Sequence, residues 1–150
     1  MDAAPVIRTL CGSLDWDSPD WGGFKVLLEG IRGHSKERTR ISDQRTIAVL
    51  VYSPSDGGVI GGLWGHSSFG VLVINLFFLP AELRGRGLGR DLLARAEAEA
   101  VRQGCRSCWL ETMEFQAPGF YARNGYEEFG RIDCAPPGNA RIFMRKPLAA

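Results

Sequence analysis

The chain has 150 residues, 45% of them hydrophobic and 23% charged, with a formal net charge of +1. That length suffices for one sizeable core, and the near-neutral balance argues against a protein whose main task is to coat nucleic acid. No apolar stretch approaches the roughly 20 residues of a membrane-spanning helix; the longest, Val71 to Leu79, has the length of a strand and carries Asn75.

The start, Met-Asp-Ala-Ala-Pro, lacks a basic segment followed by an apolar one, so no secretory signal is expected and the cytoplasm is the expected compartment. A first strand is expected over Val6 to Leu10. Ser18 before Pro19 reads as a helix start, and Phe24, Leu27, Leu28 and Ile31 follow at helical spacing, with Gly30 or Gly33 as the expected end. The basic stretch HSKERTRISDQR reads as loop or a short helix. TIAVLVYS is a strand by its β-branched content, PSDGG a turn, and VIGGLWGHSS the paired strand. FGVLVINLFFLP is apolar at alternate positions of both faces, which predicts a central strand covered on both sides, with Asn75 as a satisfied buried polar group.

A helix is predicted over Leu88 to Gln103, with Leu88, Leu92, Leu93, Ala96 and Ala100 on one stripe and Asp91 and Arg95 as an acid-first pair. SCWLETM is a strand, APGFYARNGY a short helix with Pro118 near its start and Gly125 past its end, and EEFGRI and ARIFMRKPL a final pair of strands. The order describes a mixed α/β domain with a mostly antiparallel sheet and one β-α-β crossover. The four cysteines read as reduced packing residues. Cys105 and Cys108 form a C-x-x-C, but no second pair or nearby histidine completes a zinc set, and the motif does not open a helix as a redox site would.

Between strand and helix the chain reads Arg84-Gly85-Arg86-Gly87-Leu88-Gly89-Arg90. A helix start offers backbone N–H groups without intrahelical partners and the positive end of the macrodipole, which attract phosphate. Glycines allow close approach, and arginines add charge-assisted contacts. The stretch therefore reads as a polyphosphate cradle. It is no P-loop, for it lacks the lysine and hydroxyl residue, and its glycine spacing differs from the dinucleotide fingerprint.

LPAELRGRGLGRDLL resembles motif A of the GNAT N-acetyltransferases, with Arg84, Gly87 and Gly89 at its three defining positions. WLETMEFQAPGFYARNGYEEFG resembles the family's next strand and motif B helix. CAPPGNARIFMRKPL is similar to the closing hairpin of a bacterial branch that also carries FQAPGFY. The resemblance covers roughly residues 46–148 and implies a single domain over 1–150: a mostly antiparallel sheet of six to seven strands flanked by about four helices. It implies acetyl-CoA as donor, no metal, and the primary amine of a small molecule, peptide or protein as acceptor. Nucleic-acid and membrane partners are not expected; exposed sheet edges leave a homodimer open.

On that resemblance the amides from Gly85 to Arg90, Leu88 included, hold the pyrophosphate, with Arg84, Arg86 or Arg90 adding charge. Phe77, Phe78 and Leu79 pair with the pantetheine arm like an added strand, and an N–H near Leu79 is the oxyanion donor. Glu111 is the candidate base, or else a structural carboxylate, with Glu114 the weaker option. Tyr121 is the candidate acid toward the departing thiolate, and Gln116 a contact to the donor's arm. Trp16, Trp21, Trp64, His66, Phe69 and the acidic Asp15, Asp17 and Asp20 are possible acceptor-side residues, each also explicable as packing or surface. The alternative to an enzyme is a non-catalytic acyl-CoA-binding or sensing module, which would keep the cradle without needing Glu111 or Tyr121.

Overall fold

In chain order the computed structural model has α1 (Trp21–Thr39), β1 (Arg45–Tyr52), β2 (Val59–Ser68), β3 (Val71–Phe78), a 3-10 turn (Ala81–Leu83), α2 (Leu88–Arg102), β4 (Ser107–Met113), α3 (Pro118–Arg123), β5 (Glu127–Cys134) and β6 (Asn139–Pro147). The structure describes residues 5, 6, 9 and 21–148. The strand expected at Val6 to Leu10, the helix start at Ser18-Pro19, and Asp15, Trp16, Asp17 and Asp20 therefore lie wholly or mostly outside the described residues. No described helix is long and apolar enough to cross a membrane.

Residues 1–42 form one unit and 43–150 another. In the first, α1 does not stop at Gly30 or Gly33. It runs on through the basic stretch to Thr39, so HSKERT is helix rather than loop. Lys36 and Arg38 in its last turn suit the negative helix end. The Thr39 hydroxyl bonds the Ser35 carbonyl, and Arg40 leaves the helix with a left-handed φ of 63°.

The second unit is a six-stranded sheet in the order β1-β2-β3-β4-β6-β5, with β3 and β4 parallel and every other pair antiparallel. This is the α/β fold expected, with α2 as the single crossover. On the helix-covered face Leu63, Leu72, Leu93, Leu110 and Ile142 are almost fully buried. Leu92, Leu93, Ala96 and Ala100 supply the buried stripe of α2, the repeat that drives an amphipathic helix onto a sheet. Asp91 lies 3.5 Å from Arg90, in place of the expected pair with Arg95.

Two irregularities shape the middle of the sheet. In the β2–β3 ladder Trp64 faces Leu76 while the next residue, Gly65, faces Ile74, so Asn75 is an extra residue: a β-bulge. The β3–β4 ladder is short, running from Val71 opposite Ser107 only to Ile74 opposite Leu110. Beyond that point the two parallel strands diverge. Coverage of β3 on both sides therefore holds only for its first half. Leu76 and Phe78 are 65% and 59% exposed, because bulge and divergence strip that end of cover. Asn75 is exposed as well, not buried.

Candidate active site

The loop between β3 and α2 is built from local rules. Pro80 ends β3, since it has no N–H for a ladder. The 3-10 turn follows, with Leu83 N–H donating to Pro80 O at 3.0 Å and Arg84 N–H to Ala81 O at 3.2 Å. The Arg84 side chain folds back, its Nε donating to the Leu79 carbonyl at 2.8 Å. Gly85 and Gly87 have φ of 73° and 80°, the left-handed region that favours glycine. Gly87 caps α2 without a side-chain acceptor, and the first helical bond is Asp91 N–H to Gly87 O at 3.1 Å. The amides of Gly85, Arg86, Gly87, Leu88, Gly89 and Arg90 thus have no acceptor among the described residues. That is a run of N–H donors at a helix start, with the exposed side chains of Arg86 and Arg90 beside it. Gly89 serves packing: a Cβ there would lie 3.3 Å from two atoms of the Phe120 ring.

This loop follows the half of β3 that no longer pairs with β4. One edge of β3 from Asn75 to Phe78 has no strand partner among the described residues, which gives an extended ligand a ladder to join. Phe77 turns to the helix side and meets Phe120 and Tyr121 edge-on, with centroids 5.8 and 6.4 Å away. The ring of Tyr121 is buried. Among the described residues its hydroxyl has no hydrogen-bond partner, yet no buried side-chain polar atom there lacks one, so the hydroxyl is not fully enclosed. Burial pushes its pKa up to about 12, with buried Cys108 adding to the rise.

Behind Tyr121 lies a polar brace that the sequence did not announce. Tyr126 stacks on it at 5.8 Å, and the Tyr126 hydroxyl donates to Glu97 at 2.9 Å. Cys108 Sγ lies 3.2 Å from the same oxygen, and Lys146 donates to the other Glu97 oxygen at 2.7 Å. Burial lifts the Cys108 thiol to about 12, which keeps it protonated and unsuited to carrying an acyl group.

The opposite face of the sheet carries different chemistry. Alternation along β4 sends Cys108, Leu110 and Thr112 to the core and Glu111 outward. Glu111 is exposed and its Oε1 accepts from Arg141 Nη1 of β6, so the expected base has a guanidinium partner. Glu114 is likewise paired, with Arg131 at 3.3 Å. Gln116 closes the turn after β4, its Oε1 accepting from Met113 N–H at 3.0 Å. His66 of β2 and Asn75 of β3 are joined, Nδ1 to Oδ1, at 2.9 Å. Trp64, opposite Leu76, is near the divergence. Phe69 is not: it sits in the turn before β3, its amide held by Asp43, at the far end of that strand. The Arg141 and Asn75 pairings went unread in the sequence because each depends on strand register.

The acetyltransferase (GNAT) domain family matches residues 43–128. An acetyltransferase of Agrobacterium fabrum is 31% identical over 130 residues, covering 87% of this chain and 94% of its own. The blasticidin-S acetyltransferase of Streptomyces morookaense is 42% identical over 114 residues, covering 74% and 84%. Among solved structures, an acetyltransferase from Agrobacterium tumefaciens superposes with a TM-score of 0.80 at 28% identity, over 95% of this chain and 99% of that one. The chain belongs to the GNAT acetyltransferase family and is an acyltransferase, for which acetyl-CoA is the co-substrate.

Proposed function

We propose that this chain moves an acetyl group from acetyl-CoA to the primary amine of a small molecule, by direct attack with both substrates bound. The observation that carries the reading is the run of amides from Gly85 to Arg90 without acceptors among the described residues, next to the half of β3 that leaves β4 and whose Phe77 meets the Tyr121 ring. Those amides, with Arg84, Arg86 and Arg90 around them, hold the pyrophosphate. Phe77, Phe78 and Leu79 pair with the pantetheine arm, and an amide near Leu79 faces the developing oxyanion. Arg84 acts chiefly by fixing the loop, through its bond to Leu79. Gln116 borders the arm. Glu111, the base expected from the resemblance, is held on the open face by Arg141. We read the chain as one domain over 1–150, of the branch carrying FQAPGFY and the PPG…R hairpin. Cytoplasmic action fits that reading, and the edges of β1 and β5, which have no further strand partner among the described residues, leave room for a dimer.

Tyr121 is a donor of a hydrogen bond to sulfur rather than a full acid. With its pKa at about 12 against a thiol near 8.5, complete proton transfer is uphill by about 5 kcal/mol. A hydrogen bond to the departing thiolate avoids that cost while still stabilising the charge. The buried thiol of Cys108 favours direct attack over an acyl-enzyme route. A small acceptor is supported by the names of two relatives: blasticidin-S acetyltransferase, and a nourseothricin acetyltransferase structure at 28% identity and a TM-score of 0.59.

The test is thiol release from acetyl-CoA with a panel of amines that includes blasticidin S. Turnover with at least one is expected. Tight coenzyme A binding with no turnover across the panel would instead favour the acyl-CoA-sensing alternative.

A further inference from the structure

We propose that His66 is the general base of the transfer and that Asn75 is the positioning residue that sets its tautomer. This rests on the transferase reading above. The β3–β4 ladder ends at Ile74 opposite Leu110, so Asn75 is the first residue of β3 at the mouth of the gap. It is also the bulged residue, set where a regular strand would have no residue to spare. His66 lies opposite Val73 on β2, and alternation puts it on the face away from buried Leu63, Gly65 and Ser67. Through Asn75 the imidazole is tied to the level at which the β3–β4 ladder ends.

The hydrogen bond fixes the chemistry. Asn75 Oδ1 lies 2.9 Å from His66 Nδ1, and an amide oxygen only accepts. Nδ1 must then carry the proton, which leaves Nε2 with its lone pair free as the proton acceptor. Glu111, the other basic side chain at the gap, is engaged by Arg141. Tyr121 lies on the opposite, helix-covered face, as its contacts with Phe77 and Phe120 show. The amine is deprotonated from one face of the sheet, and sulfur is met by a donor from the other.

The proton count closes. An alkylammonium gives one proton to His66 Nε2, and the freed lone pair forms the C–N bond. The C–S bond breaks with its electron pair going to sulfur. A second proton leaves nitrogen for the thiolate, giving amide, thiol and a protonated imidazole that solvent discharges. The base is needed because an amine of pKa about 10.4 is neutral in fewer than about one molecule in a thousand at pH 7.

The experiment uses the full chain and the fastest amine of the panel. His66→Gln is expected to lower kcat about 100-fold or more while coenzyme A affinity holds within about twofold, and added imidazole should restore part of the rate in His66→Gly. Asn75→Leu should lose about tenfold or more, and Asn75→Asp, which still accepts from Nδ1, should regain most of it. Nitrogen-15 spectra of wild type should show His66 protonated at Nδ1; the reverse tautomer would overturn the assignment. So would a His66→Gln enzyme within about threefold of wild type, above all if Glu111→Gln is inactive, which would return the base to Glu111. A wild type that binds coenzyme A but acetylates nothing would remove the transferase reading and this one with it.

Discussion

The Tyr121 hydroxyl combines a buried ring, a pKa lifted to about 12 and no hydrogen-bond partner among the described residues. A group so placed stays neutral across the working pH range and keeps its proton available to donate. Tyr121→Phe is therefore expected to lower kcat about 10- to 100-fold with coenzyme A affinity near normal. Stopped or steady-state thiol release measures the first and calorimetry the second; equal turnover would end the role. Tyr121 was legible in the sequence because FYARNGY supplies its own helix, proline start and glycine stop. Asn75 was misread as buried, since an amide in an apolar run gives no sign that β4 will leave its side open. Glu111 was read as a carboxylate at a strand end, but its guanidinium partner sits 30 residues away, on β6.

At the scale of elements, the strand end, the glycine turn and the helix start between Pro80 and α2 were readable in the sequence, but the 3-10 turn and the Arg84 bond to Leu79 were not. The readable parts are local: a proline that stops a strand, two glycines that turn left-handed, and a helix without a capping side chain. Gly87→Ala tests that logic. A φ of 80° costs an L-residue about 1–2 kcal/mol, so denaturant midpoints should fall correspondingly, and coenzyme A binding should weaken through the shifted amides. A variant as stable as wild type that binds equally well would contradict the strained-turn account. The wedge between β3 and β4 could not be read the same way. Divergence after Ile74 depends on which strands pair and where the ladder stops, and neither leaves a local mark. The same limit hid the true length of α1: the tertiary fold tolerates Gly30 and Gly33 inside a helix that propensity would have ended.

For the whole molecule, three buried acids of high pKa set the alkaline limit. Burial raises Cys108 from the ordinary 9.0 to about 12, raises Tyr121 from 10.0 to about 12, and lifts Tyr126 further. Each is bound to its proton more tightly when folded than when unfolded. Their contribution is fully present below the unfolded pKa values and is lost as pH rises toward the folded ones. Tm should accordingly be nearly flat from pH 7 to about 8.5 and fall steadily above about 9, as differential scanning calorimetry would record. A Tm that held level to pH 11 would mean these groups are not buried as described.

The central claim is that the main-chain amides of residues 85–90 receive the anionic end of the donor. Isothermal calorimetry of coenzyme A against wild type and against the double charge reversal Arg84→Glu, Arg86→Glu measures it most directly. The account predicts saturable binding to wild type, weakening with added salt, and at least about a tenfold loss in the reversed protein while it remains folded. No heat of binding to intact wild type, or equal affinity in both proteins, would contradict it.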